Sequence, residues 1–138
     1  HHGYPVLLWK ESSNENLKAA VANTKLVLSL ALVQRGFDFF FSEMDVWWIQ
    51  SPKPSLVEFQ QRNDEHHIYF SGHQNNPNAP NIGVYAAKAS EGTIEYFEIC
   101  IEMLKLRPQT HDQLVMQQVR NLFENTLSNR PYEFHGNW

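Results

Sequence analysis

One cysteine, Cys100, stands among 138 residues, so an intramolecular disulfide and any zinc site built on several thiolates are excluded. Positive charge is also scarce. Eleven Lys and Arg against fifteen Asp and Glu give a formal net charge of −4, and the basic residues form no cluster. That argues against a nucleic-acid partner, because phosphate backbones are held by grouped Lys and Arg. No signal peptide is present, and no apolar run reaches the roughly 18 residues needed to span a bilayer, so no membrane segment is expected in this chain. Charged residues make up only 19%, too few for a solvated, disordered chain, whereas 42% hydrophobic and 13% aromatic content can supply a core. A chain this long buries about 68 to 70 per cent of its unfolded surface, which suits one folded domain over residues 1–138.

Hydrophobic period and turn chemistry order the elements. "GYPVLLWK" reads as a short strand, and Ser12 and Glu15 fit a capping box for a helix over about residues 14–35, ended by Gly36. Leu17, Val21, Thr24, Leu28, Ala31 and Arg35 recur at helical spacing along it. "FDFFF", residues 37–41, then reads as a strand with apolar groups on both faces, the pattern of an internal strand between helices. Strand, helix, strand predicts a parallel pair. Pro52 and Pro54 open a short helical or turn segment, and "HIYFS", residues 67–71, reads as a further strand. The Asn- and Pro-rich "GHQNNPNAPN", residues 72–81, reads as a loop. A strand "IGVYAAKA" follows, then a helix from about Ser90 with Ile94, Phe97, Ile101 and Leu104 on one face, closed by Pro108. Thr110 and Gln113 fit a second capping box ahead of Val115, Val119 and Leu122. The alternation predicts an α/β class, a three-layer αβα sandwich on a mainly parallel sheet.

The strand at residues 37–41 runs into "SEMDVWW", which sets two carboxylates one residue apart. In an extended segment residues i and i+2 point the same way, so Glu43 and Asp45 would converge while Met44 faces away. Ligands of open α/β sheets gather outside the carboxyl ends of strands, where this pair would sit. Carboxylate oxygens suit Mg²⁺ or Mn²⁺ at roughly 2.0 to 2.2 Å. An exposed strand end that tolerates acids is the other reading. Trp47 and Trp48 are open between core or lid residues and platforms on which a sugar stacks.

"KLVLSLALVQRGFDFFFSEMDVWWIQSPKP" resembles a segment of the nucleotide-diphospho-sugar transferases of the plant and algal arabinosyl, xylosyl and galactosyl type. There a Lys, a helix, a Gly and a greasy strand precede Asp-x-Asp-Val-x-Trp and a Pro. "NIGVYAAKAS" is similar to the family's Asn-x-Gly stretch, "HDQLVMQQV" to its Asp-Gln helix start and "FHGNW" to its C-terminal His-x-Asn ending. The resemblance spans roughly residues 25–138. It implies a GT-A-like fold, a UDP-sugar donor, a glycan or glycoprotein acceptor, Mn²⁺ (or Mg²⁺), transfer of a hexosyl or pentosyl group with retention, and the Golgi lumen. It also implies that a further strand and helix, which help bind the uridine, belong ahead of His1, making this domain a partial one.

By the same resemblance Asp45 is the second acid of the motif and a direct metal ligand, with Glu43 in place of the first Asp, one methylene longer. His135 would complete the metal's shell, an ordinary role for a neutral imidazole beside carboxylates; the alternative is a capped tail histidine. Asn81 and Gly83 would lie against the donor, since Gly admits close approach of main chain to a ligand; otherwise they form a turn into the next strand. Asp112 and Gln113 would meet donor-sugar hydroxyls as the catalytic pair, although the first turn of any helix favours such residues. Lys25 would reach a phosphate, or else lie solvated on its helix. A phosphoester hydrolase using Glu43, Asp45 and His135, and a non-catalytic α/β binding module, are the competing functions.

Overall fold

The computed structural model describes residues 17–61, 67–73 and 76–126. Four helices, α1 (Leu17–Gln34), α2 (Lys53–Gln61), α3 (Glu91–Leu106) and α4 (Asp112–Thr126), accompany three strands, β1 (Phe39–Ser42), β2 (Ile68–His73) and β3 (Asn76–Ala87). The chain is of mixed α/β class, and the sheet runs β1-β3-β2 with both pairings antiparallel. The mainly parallel sheet and three-layer sandwich expected from the sequence are not shown by these residues. The expected parallel pair depends on the strand "GYPVLLWK", residues 3–10, which lies outside the described residues, as do Ser12 and Glu15. Among the described residues β1 pairs only with β3.

The α1 helix ends where the sequence places its stop. Gly36 has φ of 79°, the Gly36 amide donates to the Val33 carbonyl at 3.0 Å and the Phe37 amide to the Leu32 carbonyl at 3.1 Å. This is a Schellman ending, and its left-handed residue is one that side chains disfavour. The buried face differs from the expected one. Leu26, Ser29 and Val33 point inward with Lys25, whereas Val21 and Arg35 are exposed. Apolar residues run almost all round this helix, so spacing alone did not select its inner side.

Side-chain alternation along the strands divides the core. Phe39 and Phe41 pack against Tyr85, which sits with Phe70 and Phe97 in the main cluster fed by α1, α3 and α4. Phe40 joins Phe59 of α2, Tyr69 and Ala86 in a smaller one. The apolar groups of β1 thus do serve both faces. Ser90 caps α3 by accepting from the Thr93 amide at 3.1 Å, a contact worth about 1 kcal/mol. Across that helix the Tyr96 hydroxyl donates to the Met116 carbonyl of α4 at 2.8 Å.

Two local expectations are corrected. The segment at residues 72–81 is not a free loop: His73 and Asn76 face each other in a hairpin, and Asn76–Ala87 is one strand. Backbone pairing with β2 overrides the turn chemistry of the Asn and Pro residues, and the register shifts at Phe70/Ser71 and Gly72/His73 absorb the irregularity. At α4 the first helical bonds from Leu114 and Val115 run to the His111 carbonyl, so His111, not Thr110, occupies the cap. Phe123 rather than Leu122 then turns inward.

Candidate functional site

Three elements meet at Lys25. The side chain leaves α1 and its ammonium lies 3.0 Å from Glu43 Oε1, just past the C-terminal end of β1, and 2.6 Å from Asp112 Oδ2 in the first turn of α4. Lys25 and Asp112 are only 7% and 10% exposed at their side chains, and Glu43 is 40% exposed. The ammonium also sits 5.4 Å from the centre of the Phe41 ring. A buried cation between two carboxylates is held by both, and it satisfies the desolvated Asp112. Lys25 is therefore engaged with protein carboxylates, neither solvated nor extended toward an empty space.

The chain continues outward. His111 Nδ1 lies 2.9 Å from Asp112 Oδ1, and His111 itself is exposed. Beneath the ammonium, Ser29 Oγ donates to the Lys25 carbonyl at 2.8 Å and shares a hydrogen bond of 2.7 Å with the Tyr85 hydroxyl. Burial, with Asp112 and Glu43 nearby, holds the Tyr85 phenol well above its ordinary range, so it stays neutral and bonded. Burial likewise pushes the Cys100 thiol up, which makes that residue a packing group rather than a nucleophile.

The register shift in β3 serves this site. Ser71 faces Asn81 while Phe70 faces Tyr85, so the stretch of β3 containing Gly83 is displaced from regular pairing with β2. On its other side the Glu43 amide donates to the Gly83 carbonyl at 2.8 Å, and the Gly83 amide donates to Asn81 Oδ1 at 2.9 Å. A Cβ at Gly83 would lie 3.1 Å from Glu43 Oε2 and 3.1 Å from Asn81 Oδ1. Gly83→Ala should therefore press on Glu43 Oε2 and Asn81 Oδ1, which must each give slightly, and cost about 1 kcal/mol, the low end of overpacking penalties. Urea unfolding of the variant beside the parent checks it, and an unchanged midpoint would mean that the carboxylate yields freely.

The acidic pair is arranged differently from the extended geometry expected of it. The Val46 amide donates to the Glu43 carbonyl at 3.3 Å, so Glu43, Met44, Asp45 and Val46 form a turn. Same-face alternation ends with β1. Asp45 is exposed at the turn, while Glu43 gives one oxygen to Lys25. Among the described residues no three His, Cys, Asp or Glu side chains gather in a metal-binding group. His135 lies outside those residues. Asp45 and the second oxygen of Glu43 remain hard oxygen donors of the type that suit Mg²⁺ or Mn²⁺.

Of the residues singled out in the sequence, Lys25, Glu43, Asn81, Gly83 and Asp112 come together here, and Gln113 follows on the same helix turn with its amide on Asp112 Oδ1 at 2.9 Å. His111 was not singled out. Its only signal was adjacency to Asp112, hidden by the Thr110 capping pattern.

A family model, nucleotide-diphospho-sugar transferase, matches residues 9–127. The chain belongs to this family. No curated protein and no solved structure matches it significantly. Membership carries glycosyl transfer from a sugar nucleotide as the general activity of this nucleotide-diphospho-sugar transferase, with a sugar-nucleotide donor and an acceptor as its partners. Among the described residues no helix is long and apolar enough to cross a membrane.

Proposed function

We propose that this transferase moves a hexosyl or pentosyl group from a UDP-sugar to a hydroxyl of a glycan or glycoprotein, with retention, with the aid of Mn²⁺ or Mg²⁺, in the Golgi lumen. The observation that carries the reading is the meeting of Lys25, Glu43, Asn81, Gly83 and Asp112, drawn from four separate elements, at one strand end. Structural convenience would not require family-matched positions so far apart in sequence to converge.

In this reading Asp45, one oxygen of Glu43 and His135 hold the cation. When bound, it offsets the diphosphate's negative charge and the charge that grows on departing UDP. Lys25 contributes by fixing the carboxylates of Glu43 and Asp112, not by touching a phosphate. Asn81 orients the Gly83 backbone, whose missing side chain leaves room for the Glu43 carboxylate. Asp112 and Gln113 accept and donate to sugar hydroxyls, with Asp112 held rigid between Lys25 and His111. Such fixed polar groups act without reorganising as the bond to the leaving oxygen breaks.

The test is a panel of UDP-arabinose, UDP-xylose, UDP-galactose and UDP-glucose, with free UDP measured with and without EDTA. At least one donor should release UDP only with the cation, and added Mn²⁺ should restore release after chelation. The anomeric configuration of the product, read by NMR, checks retention. Cleavage of simple phosphoesters with no preference for UDP-sugars would replace this reading with a hydrolase. No cation-dependent turnover and no binding of UDP would leave a binding module.

A further inference from the structure

The segment following the acidic turn places its two indoles in opposite ways. Trp48 is anchored: its Nε1 donates to Ser42 Oγ at 3.3 Å, and its ring lies 5.5 Å from that of Phe40. Trp47 is 90% exposed, and Met44 and Ile49, near it in sequence, are almost wholly exposed. A large apolar group in water is unfavourable unless something covers it, and contiguous exposed apolar groups mark contact surfaces. Here the anchor on one indole holds its neighbour outward, two residues from Asp45.

We infer that Trp47 is the platform on which a sugar ring of the acceptor glycan stacks. This rests on the glycosyl-transfer reading and extends it to the acceptor. The charge of the patch disfavours an anion, and a neutral polyol is the acceptor that the transferase reading calls for. Between Glu43 and Gln50 there are two carboxylates and no Lys or Arg, so the flank repels anionic lipid headgroups and acidic peptides. A sugar presents an apolar face of C–H groups, electropositive at hydrogen, to the negative face of the indole, while its hydroxyls stay in water. Indole is also rigid, with two side-chain torsions, so little entropy is lost when it is covered. The position beside Asp45 would bring the bound ring's neighbour to the donor.

Isothermal titration calorimetry of the full chain with neutral oligosaccharides of xylose, arabinose and galactose, with the parent's emission recorded alongside, tests the assignment. At least one probe should give a saturable change, weakened about tenfold in Trp47→Ala and largely kept in Trp47→Phe, as expected for a stacked aromatic contact. UDP affinity in the presence of Mn²⁺, which reports the donor half, should be the same in parent and Trp47→Ala. The platform is overturned if no oligosaccharide gives a saturable change, or if Trp47→Ala binds as the parent does. It is also overturned if phosphatidylcholine vesicles alone alter the emission, or if Trp47→Ala only abolishes self-association in sedimentation. Loss of UDP binding in the parent, with Trp47-dependent oligosaccharide binding intact, would instead overturn the transferase reading and leave the platform standing.

Discussion

Lys25→Met should cost about 3 to 5 kcal/mol of folding stability, the range for removing one partner of a buried ion pair. The loss comes mainly from Asp112, which is nearly enclosed and would keep only the His111 ring and the Gln113 amide as polar partners. Glu43, 40% exposed, is screened by water and contributes less. A native domain is stable by only about 5 to 15 kcal/mol, so this one substitution removes a large fraction. The second variant Lys25→Met with Asp112→Leu isolates the cause. Replacing both members of a buried pair by apolar groups restores most of the loss, because no desolvated charge is left behind. Urea midpoints of parent, single and double variants decide the matter: a single variant as stable as the parent would mean that water reaches the pair freely.

Asp45→Asn should lower cation-dependent UDP release about 100- to 1,000-fold, the effect of removing one group that stabilises transition-state charge. Asparagine keeps the shape and one oxygen but loses the negative charge that a divalent ion needs. Asp45 is exposed in its turn, so stability should change by no more than about 0.5 kcal/mol. Matched unfolding curves alongside steady-state UDP release separate chemistry from folding. A rate within a few-fold of the parent would remove Asp45 from the machinery and, with it, the cation as proposed.

Legibility in the sequence followed the physics of each signal. Stops and starts that depend on one residue's backbone or side chain, such as Gly36 and Ser90, were readable because the cause is local. The two antiparallel pairings were not. The order of segments around β1 suited a parallel crossover, and only the pairings of Phe41 with Tyr85 and of Phe70 with Tyr85 show two antiparallel neighbours. The candidate residues stand out in the sequence by type and order, yet their arrangement depends on tertiary contacts. Alternation placed Glu43 and Asp45 on one side only so long as the backbone stayed extended, and the hydrogen bond from Val46 to Glu43 ends that condition. A lysine in the middle of a helix is ordinarily solvated, and only the resemblance points Lys25 toward a phosphate. Its burial is set by Asp112, at the far end of the described chain, which no local pattern signals.

That long reach has a kinetic consequence. One ammonium fastens an early helix to a strand end and to the last described helix, so the constellation cannot exist until the most distant segments have met. Closing such a contact carries the largest chain-entropy cost and belongs late on the pathway. Recovery of UDP release during refolding should therefore trail the return of helical signal.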